Sequence, residues 1–304
     1  MLIIVNPHAG GGQGRARYER LGLPHEAVFP ESEAAAKAAV VQAAERGEAV
    51  IASASGDGGV HLVINALMDP ATDAPRWPVA VGAIGLGSSN DFHKPRTGKG
   101  TPVALGDPTH VDLGRVDLEL EDGSHAVEYF VLNSAVGAVA KGNQRYNHPT
   151  GLLAYFKRLN PALAIQWSSV EAVGLFANVP ARVEVDGQPA PGQAISNLGV
   201  LKRVHFAGDM RYDTPVTPTD GMFDVNLCVD MTRFEFVQAM LAIGAGRFLA
   251  AKLPKTHHWR ATRVKVTPEA PTPLEMDGEV RIVRMAEYRL VPRAIALCGR
   301  GEEL

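Results

Sequence analysis

Residues 54–59, ASGDGG, join a run of small apolar residues to a helix-like segment, residues 60–67, through three glycines that bracket Asp57. Glycines allow positive φ angles and bring several backbone N–H groups close to an anion, and a helix that begins there adds the positive end of its dipole. A carboxylate among such amides does not attract phosphate, so Asp57 would handle a metal ion, a proton or a basic side chain. Alone, the stretch predicts either a phosphate-binding loop or an ordinary strand-to-helix turn.

Two further glycine-rich loops also follow apolar strands. Leu2–Val5 is a predicted buried strand, and residues 6–14 make a turn that is followed by two arginines. Residues 79–84 form another strand, which continues into GLGSSNDF at residues 85–92. Parallel strands end at one edge of their sheet, where the ligands of open α/β sheets bind. Three such loops therefore predict a phosphate site at that edge.

Five motifs carry a family resemblance. NPHAGGG (6–12), SGDGG followed by VHLVINAL (55–67) and GLGSSNDF (85–92) resemble the asparagine–proline–glycine, GGDGT and GTxND signatures of the diacylglycerol kinase catalytic domain. This lipid kinase family includes sphingosine kinases and bacterial diacylglycerol kinase-like proteins. PTDGMFDV (218–225) and EMDGEV (275–280) are similar to its metal-site and DGE segments. Their order and approximate spacing agree over nearly the whole chain.

Length and composition are compatible with that resemblance. A chain of 304 residues exceeds what one compact core usually holds, so two domains are expected. A net charge of −3 gives no basic excess for nucleic acid and no broad attraction to an anionic membrane. The two cysteines are far apart, which predicts neither a disulfide framework nor a zinc site. The opening MLIIVNP is too short for a signal peptide, and no apolar run reaches about 18 residues. We therefore expect a soluble, cytoplasmic protein.

The first part of the chain alternates strands with helices. Residues 31–46 are alanine-rich, carry acidic residues at their start and stop at a glycine, which predicts a helix. Residues 49–54 and 79–84 are predicted strands on either side of the helix at residues 60–67. This βαβ series predicts a parallel sheet.

From Val111 onward the pattern changes. Short strand candidates are separated by glycine, proline and aspartate turns, which predicts a mostly antiparallel domain. Residues 151–163 and 233–249 are predicted helices. The strand candidates are residues 111–113, 126–132, 181–185, 194–200, Phe223–Val229, 263–267 and 280–285.

The predicted fold is therefore an α/β N-terminal domain with a parallel sheet, of the NAD kinase or diacylglycerol kinase type, plus a mostly antiparallel β-sandwich second domain. The first domain spans residues 1–115 and binds nucleotide, and the second spans residues 116–289 and receives the lipid substrate. The resemblance implies that a last strand near residues 293–298 returns to the first domain, which then also includes about 290–304. It also implies an active site in the cleft between the domains.

The resemblance implies ATP and Mg²⁺ as cofactors. Backbone amides would do most of the phosphate binding, and Ser88 keeps a hydroxyl where the family has the threonine of GTxND. Asn90 and Asp91 would serve this site, or form a structural Asx-turn instead. The residues assigned to the nucleotide are Asn6, Pro7, His8, Ala9, Gly10, Ser55, Gly56, Asp57, Gly58, Gly59, Val60, His61, Ser88, Asn90 and Asp91.

EMDGEV holds the predicted catalytic carboxylates. If the segment is extended, Asp277 and Glu279 fall on one face. The resemblance implies that Glu279 accepts the proton of the lipid hydroxyl, that Asp277 supports it or binds metal, and that Asp57 belongs to the catalytic set. The alternative is a polar hairpin turn, because Asp–Gly is a common turn dipeptide.

A second metal hypothesis concerns PTDGMFDV. In similar family members a magnesium ion is bound by an aspartate side chain and neighbouring backbone carbonyls, which correspond here to Asp220, Thr217 and Met222. An oxygen-rich loop suits a hard cation, which would brace the second domain rather than take part in the reaction. A plain Asp–Gly turn is the alternative.

The chain also departs from the family pattern. The threonine of GGDGT is Gly59, the asparagine–glutamate pair after it is His61–Leu62, and the alanine after GTxNDF is His93. Each lost hydrogen bond to a charged group would cost about 1.5–3 kcal/mol of nucleotide affinity. The departures leave weakened or altered nucleotide use as an open alternative.

Two main functions follow. The first is an ATP-dependent lipid kinase that phosphorylates the hydroxyl of a diacylglycerol-like or sphingoid lipid. The second is a catalytically weakened relative that binds lipid or nucleotide for regulation, and a soluble-substrate kinase related to NAD kinases is a third. The expected partners are a lipid alcohol and, transiently, a membrane surface, without nucleic acid, and a homodimer is compatible with the sequence.

One predicted helix carries an apolar face. Phe234, Phe236, Met240, Leu241 and Phe248 recur at helical spacing. This face would pack in the core or contact a membrane or an acyl chain.

Overall fold

The computed structural model describes residues 1–96, 98–147, 174, 176–208 and 210–300. The chain divides into two compact units, Met1–Asp112 with Pro292–Leu304, and Leu113–Val291. The helix predicted over residues 151–163 lies outside the described residues.

The first unit contains a parallel sheet, as the βαβ pattern predicts. Its central strands β1, β3 and β6 are almost entirely buried and consist of small or apolar residues, which is typical of parallel strands covered on both faces. β1 pairs with β2 and β3, and β3 pairs with β6, all in parallel. The elements are β1 (Leu2–Val5), α1 (Ala9–Gly12), α2 (Gly14–Glu19), β2 (Glu26–Val28), α3 (Glu33–Glu45), β3 (Val50–Ser55), α4 (Asp57–Leu67), β4 (Met68–Asp69), β5 (Ala74–Pro75), β6 (Ala80–Gly85) and β7 (Val103–Ala104).

Local signals fix these elements and their register. Ser32 caps α3, because its hydroxyl accepts a hydrogen bond from the N–H of Ala35. Gly47, with φ of +82°, follows the end of that helix. Val5 lies opposite Ala54, and β3 and β6 end side by side, so the loops that follow β1, β3 and β6 all leave from one edge of the sheet.

The second unit is built from antiparallel strand pairs around an apolar core. β13 pairs with β10, β11 and β16, and β19 forms a hairpin with β20. The elements are β8 (Pro108–Leu120), β9 (His125–Phe130), β10 (Asn133–Gly137), α5 (Ala138–Asn147), β11 (Val179–Val185), β12 (Gln188–Pro189), β13 (Ala194–Leu201), β14 (His205–Phe206), β15 (Met210–Arg211), β16 (Phe223–Val229), α6 (Arg233–Gly244), β17 (Thr256–Ala261), β18 (Arg263–Pro268), β19 (Thr272–Met276) and β20 (Glu279–Cys298).

Strands β8 and β20 run across the boundary between the units. Near its end, β20 lies parallel to β6, with Ala296 opposite Ala80 and Leu297 opposite Val81. The parallel first sheet and the mostly antiparallel second part confirm the predicted fold class.

The sequence pattern missed several elements of the second unit. β10, β17 and β19 have the sequences NSAVG, THHWRA and TPLEM, in which polar and apolar residues do not alternate cleanly. β10 lies between β13 and β19 and is buried throughout, so its small residues carry no alternation. α6 ends at Gly244, earlier than predicted, because Gly246 nearby has a φ of +62°.

Candidate active site

The loop after β3 is shorter than the sequence predicts. α4 begins at Asp57, three residues before the predicted start at Val60, and Gly56 precedes it with an extended φ of −88°. Gly58 and Gly59 lie in the first turn of α4, and none of these glycines has a positive φ. The expectation that this stretch needs glycine for its backbone angles is therefore wrong.

Close packing explains two glycines of these loops instead. A Cβ added to Gly59 would clash with the hydroxyl of Ser55 and lie 2.5 Å from the Oγ of Ser53. A Cβ on Gly87 would clash with the Cα of Gly56 and lie 3.1 Å from its nitrogen. The start of α4 and the loop after β6 thus touch backbone to backbone, which only glycine permits.

The carboxylate of Asp57 connects the same two loops. It accepts hydrogen bonds from the backbone N–H groups of Asp91, at 3.0 Å, and Phe92, at 2.9 Å. These N–H groups open the 3₁₀ turn Asp91–His93, where the turn itself supplies no carbonyl acceptor for them, and the start of a helical turn favours an anion such as this carboxylate. Asp57 therefore holds the third loop against the start of α4.

The loop after β6 is also closed by its own side chains. Asn90 has a φ of +52°, accepts a hydrogen bond from the N–H of Gly87 at 2.9 Å and donates one to the carbonyl of Gly87 at 3.1 Å. The largely buried carboxylate of Asp91 pairs with the ammonium of Lys94 at 2.8 Å. Ser88 is exposed. Neither carboxamide nor carboxylate accepts the N–H two residues further on, since the N–H of Phe92 donates to Asp57 and that of His93 to the carbonyl of Asn90, so the expected Asx-turn is not formed. Contact of Asn90 and Asp91 with a nucleotide stays a prediction.

The loop after β1 starts at the same edge. Asn6 donates its N–H to the carbonyl of Ala54 at 3.0 Å, and its side chain accepts the N–H of His8 at 2.9 Å. Asn6 and His8 are exposed, Pro7 is half-buried and Ala9 is buried. The exposed residues leave part of this loop open to a ligand.

Arg17 lies between the first and third loops, and sequence reasoning gave it no role. Its Nη1 donates to the carbonyl of Leu86 at 3.0 Å, and a Cβ on Gly10 would clash with the same nitrogen. Within the described part of the chain, Arg17 forms no ion pair with a carboxylate. The signal in the sequence is a basic residue one turn into the helix that follows a glycine-rich loop.

Two residues assigned to the nucleotide have buried side chains. Val60 and His61 lie in α4 and are 3% and 4% exposed. The side-chain amide of Asn65, one turn further along the helix, donates a hydrogen bond to the backbone carbonyl of His61. The backbone of the first turn of α4 is thus what this segment presents to a ligand.

In the second unit, the EMDGEV segment is a turn and not an extended strand. Asp277 and Gly278 have φ values of +49° and +92°, and Met276 lies opposite Glu279. Two residues with positive φ between paired strands are the signature of a type I′ hairpin. The expectation that Asp277 and Glu279 share one face of a strand is therefore wrong.

Asp277 is committed to the backbone. Its carboxylate is 2% exposed and accepts hydrogen bonds from Val131 and Leu132 at 2.9 Å and from Asn133 at 3.3 Å. Glu275, which sequence reasoning did not single out, accepts the N–H of Gly278 at 2.6 Å. Both carboxylates hold the hairpin in place.

Glu279 differs from these neighbours. It is partly exposed at the first position of β20. Among the residues that the structure describes, its carboxylate has no hydrogen bond or ion pair. Of the carboxylates in this hairpin, Glu279 is the one that remains available to accept a proton.

Two of the three predicted metal ligands contact a lysine. Lys202 donates from its Nζ to Asp220 at 3.0 Å and to the carbonyl of Met222 at 2.7 Å. Thr217 donates its N–H to Asp220 at 3.0 Å, and Arg260 donates to the same carboxylate oxygen at 2.6 Å. With an ammonium on two of the three proposed ligands, these residues do not fit a further cation.

The charge of Asp220 is stabilised in this arrangement. Burial opposes ionisation, but the hydrogen bonds from Thr217 and Lys202 outweigh it and hold the pKa of the carboxyl below its ordinary value. Among the described residues, no group of three or more histidine, cysteine, aspartate or glutamate side chains is arranged to hold a metal ion.

Comparison with known proteins places the chain in a family. Residues 1–105 match the diacylglycerol kinase catalytic domain, and residues 137–299 match the YegS C-terminal NAD kinase beta sandwich-like domain. The chain belongs to the diacylglycerol kinase family. The resemblance in the five sequence motifs is thereby confirmed, and the family is one of lipid kinases.

Family relatives align along most of the chain. The diacylglycerol kinase of Staphylococcus haemolyticus (strain JCSC1435) is 25% identical, over 97% of this chain and 87% of the relative. The diacylglycerol kinase of Bacillus subtilis (strain 168) is 24% identical, over 91% of this chain and 88% of the relative. A crystal structure of a diacylglycerol kinase from Bacillus anthracis str. Sterne superposes with a TM-score of 0.64 at 15% identity, covering 100% of this chain and 97% of that one. At this sequence identity, the structural similarity shows that the two chains share a fold.

In the described part of the chain, no helix combines the length and the apolar character that crossing a bilayer requires.

Proposed function

We propose that this member of the family is an ATP-dependent lipid kinase that phosphorylates the hydroxyl of a diacylglycerol-like or sphingoid lipid. The observation that carries the proposal is the joining of the strand-end loops of the first unit around Gly56 and Gly87, with the cation of Arg17 beside them. Phosphoryl transfer depends mainly on positioning and on neutralising phosphate charge, which such a group of loops supplies.

The proposal assigns the ATP phosphates to backbone amides and to Arg17. The first turn of α4 offers N–H groups that the helix itself does not use, and its dipole favours an anion there. Arg17 would add a charge-assisted hydrogen bond. The carboxylates of Asp57 and Asp91 already accept hydrogen bonds, from Phe92 and Lys94 respectively. Mg²⁺ would therefore enter the site bound to the ATP phosphates rather than to these carboxylates.

The proposal assigns the proton of the lipid hydroxyl to Glu279. As the hydroxyl oxygen bonds to the γ-phosphorus, the bond from that phosphorus to the β–γ bridging oxygen breaks, and ADP leaves with the electron pair. The hydroxyl proton passes to the Glu279 carboxylate. Its free oxygens suit this role better than those of Asp277, which already accept backbone hydrogen bonds.

An exposed apolar face supports contact with a lipid surface. Phe234 and Leu241 are 71% and 69% exposed and lie seven residues apart on α6, about two helical turns, so they share one face. Phe236 and Phe248 of the same predicted face are buried. We propose that Phe234 and Leu241 insert into the membrane interface during transient peripheral binding.

One observation favours the regulatory alternative. The family threonine cannot stand at position 59 without displacing Ser55, so the start of α4 has been rebuilt around Gly59. If this change removes productive ATP binding, the chain would bind lipid or nucleotide without turnover.

A transfer assay separates the two functions. The purified chain is incubated with ATP labelled in the γ-phosphate, Mg²⁺ and mixed micelles that contain one lipid alcohol at a time, including diacylglycerol, monoacylglycerol, ceramide and sphingosine. Label in one extracted lipid supports the kinase and identifies the acceptor. Measurable lipid or ATP binding with no labelled lipid from any acceptor would contradict the kinase and support the regulatory protein.

A further inference from the structure

Lys202 is a fully buried cation in the second unit. Its side chain is 0% exposed, and it follows β13, where its own N–H donates to the carbonyl of Leu132. A buried ammonium is strongly disfavoured unless charged and polar partners surround it. Lys202 has such partners in the carboxylate of Asp220 and the carbonyl of Met222.

These partners are what a divalent cation would use at the same place. A carboxylate oxygen and backbone carbonyls are hard oxygen ligands, and the ammonium takes both kinds with its N–H donors. The second oxygen of Asp220 is occupied by the guanidinium of Arg260 and the N–H of Thr217. Among the described residues, each carboxylate oxygen of Asp220 thus faces a cationic side chain, which leaves neither oxygen open to a metal ion.

The cluster also connects separate elements. Lys202 follows β13, Asp220 precedes β16, and Arg260 lies in β17. Because β16 is the strand between β13 and β17, the cluster closes one end of this three-strand group. Through its contacts with Asp220 and Met222, the Lys202 ammonium holds the Asp220 loop at this end.

We infer that the Lys202 ammonium is a resident cation that replaces the bracing magnesium ion which the family resemblance implies at Asp220. The second unit of this chain therefore folds and stays folded without a divalent metal. This inference is independent of the kinase proposal, because it concerns the stability of the chain and not its turnover.

Thermal unfolding of the full chain without nucleotide tests the inference. The wild-type midpoint is expected to be the same in EDTA and in millimolar Mg²⁺. Lys202→Met keeps the length of the side chain and removes the ammonium, so the midpoint should fall by about 10 °C in EDTA, since one oxygen of Asp220 and the carbonyl of Met222 lose their buried charged donor. Added Mg²⁺ should then raise the variant's midpoint, because the oxygens of Asp220 and Met222 become available.

Lys255→Met is the matched control. Lys255 pairs with Glu235 in the same unit, but it is 38% exposed, so its replacement should move the midpoint by no more than a few degrees and create no response to Mg²⁺. A wild-type midpoint that rises with Mg²⁺ or falls in EDTA would overturn the inference, and this measurement needs no folded variant. A Lys202→Met protein as stable as Lys255→Met would overturn it as well.

Discussion

Gly59 and Gly87, in the first unit, have no room for a Cβ, whereas Gly221 and Gly278, in the second, have positive φ values and no neighbouring atom within 4 Å of the position that a Cβ would take. The first pair permits close contact of the start of α4 with the end of β3 and with the loop after β6. The second pair permits left-handed turns. At these four positions, glycine thus serves packing in the first unit and backbone conformation in the second.

Among the carboxylates of the predicted site, the difference lies in their hydrogen bonds rather than in the unit to which they belong. Asp57 in the first unit and Asp277 in the second both accept hydrogen bonds from two or more backbone N–H groups of a distant segment. Glu279, one residue beyond the Asp277–Gly278 turn, has none among the described residues. The aspartates thus hold distant segments in place, and the proposed proton transfer falls to Glu279.

The largest expected effect separates these two carboxylate roles. Glu279→Gln should lower lipid phosphorylation by roughly 10²–10⁴-fold with little change in ATP affinity or thermal stability, because a general base acts in the transition state. Asp277→Asn should mainly lower the free energy of unfolding, since it weakens buried hydrogen bonds to a charged group. Initial rates and unfolding curves of both variants check this, and a Glu279→Gln enzyme with wild-type turnover would remove Glu279 from the mechanism.

The next effect concerns crowding in the first unit. Gly59→Ala should lower the free energy of unfolding by about 1–3 kcal/mol, because the new methyl group overpacks against Ser55, whose Cβ as well as its hydroxyl lies in the way. Gly59→Thr, which restores the family residue, should destabilise further and weaken ATP binding. Tighter ATP binding by Gly59→Thr would show instead that the threonine hydroxyl adds a hydrogen bond.

Gly244→Ala is the control for that prediction. Gly244 ends α6 and has open space around it, so alanine there should be neutral or slightly stabilising. Urea unfolding of the variants measures the difference. Equal stability of Gly59→Ala and Gly244→Ala would show that the start of α4 has room for a side chain.

The smallest effect concerns the turn glycine of the second unit. Gly278→Ala should cost about 1 kcal/mol of unfolding free energy from backbone strain alone, since φ is +92° and no atom is close. Gly278→Asn should cost less, because asparagine tolerates left-handed angles. The unfolding midpoints of the two variants measure this difference. An asparagine variant less stable than the alanine variant would indicate crowding at position 278 rather than backbone strain.

Much of the fold could be predicted from short-range signals in the sequence. The apolar runs of β1, β3 and β6 and the glycines after them predicted a parallel sheet with loops at one edge, and β16 was predicted with its observed bounds. The polar or small-residue strands β10 and β17 gave no such signal, because their burial depends on their neighbours in the sheet.

The site was less predictable because its contacts join distant residues. Asp57 reaches the N–H of Asp91 across 34 residues, and Lys202 reaches Asp220 across 18. The local sequence pattern predicts which segments are loops, but it does not predict which distant residue each side chain contacts. The turn at Asp277 was the alternative that the Asp–Gly dipeptide predicted, whereas a shared face for Asp277 and Glu279 required an extended segment.

Titration with MgATP most directly tests the central claim that the first unit binds nucleotide phosphate at its strand-end loops. Wild-type chain should bind, and Arg17→Met should weaken binding roughly 10- to 100-fold, the cost of one charged hydrogen bond. Arg15→Met is the matched control, because Arg15 lies in the same helix but is exposed and pairs with Glu19. Absence of ATP binding by the wild type, or equal losses in the two variants, would contradict the account.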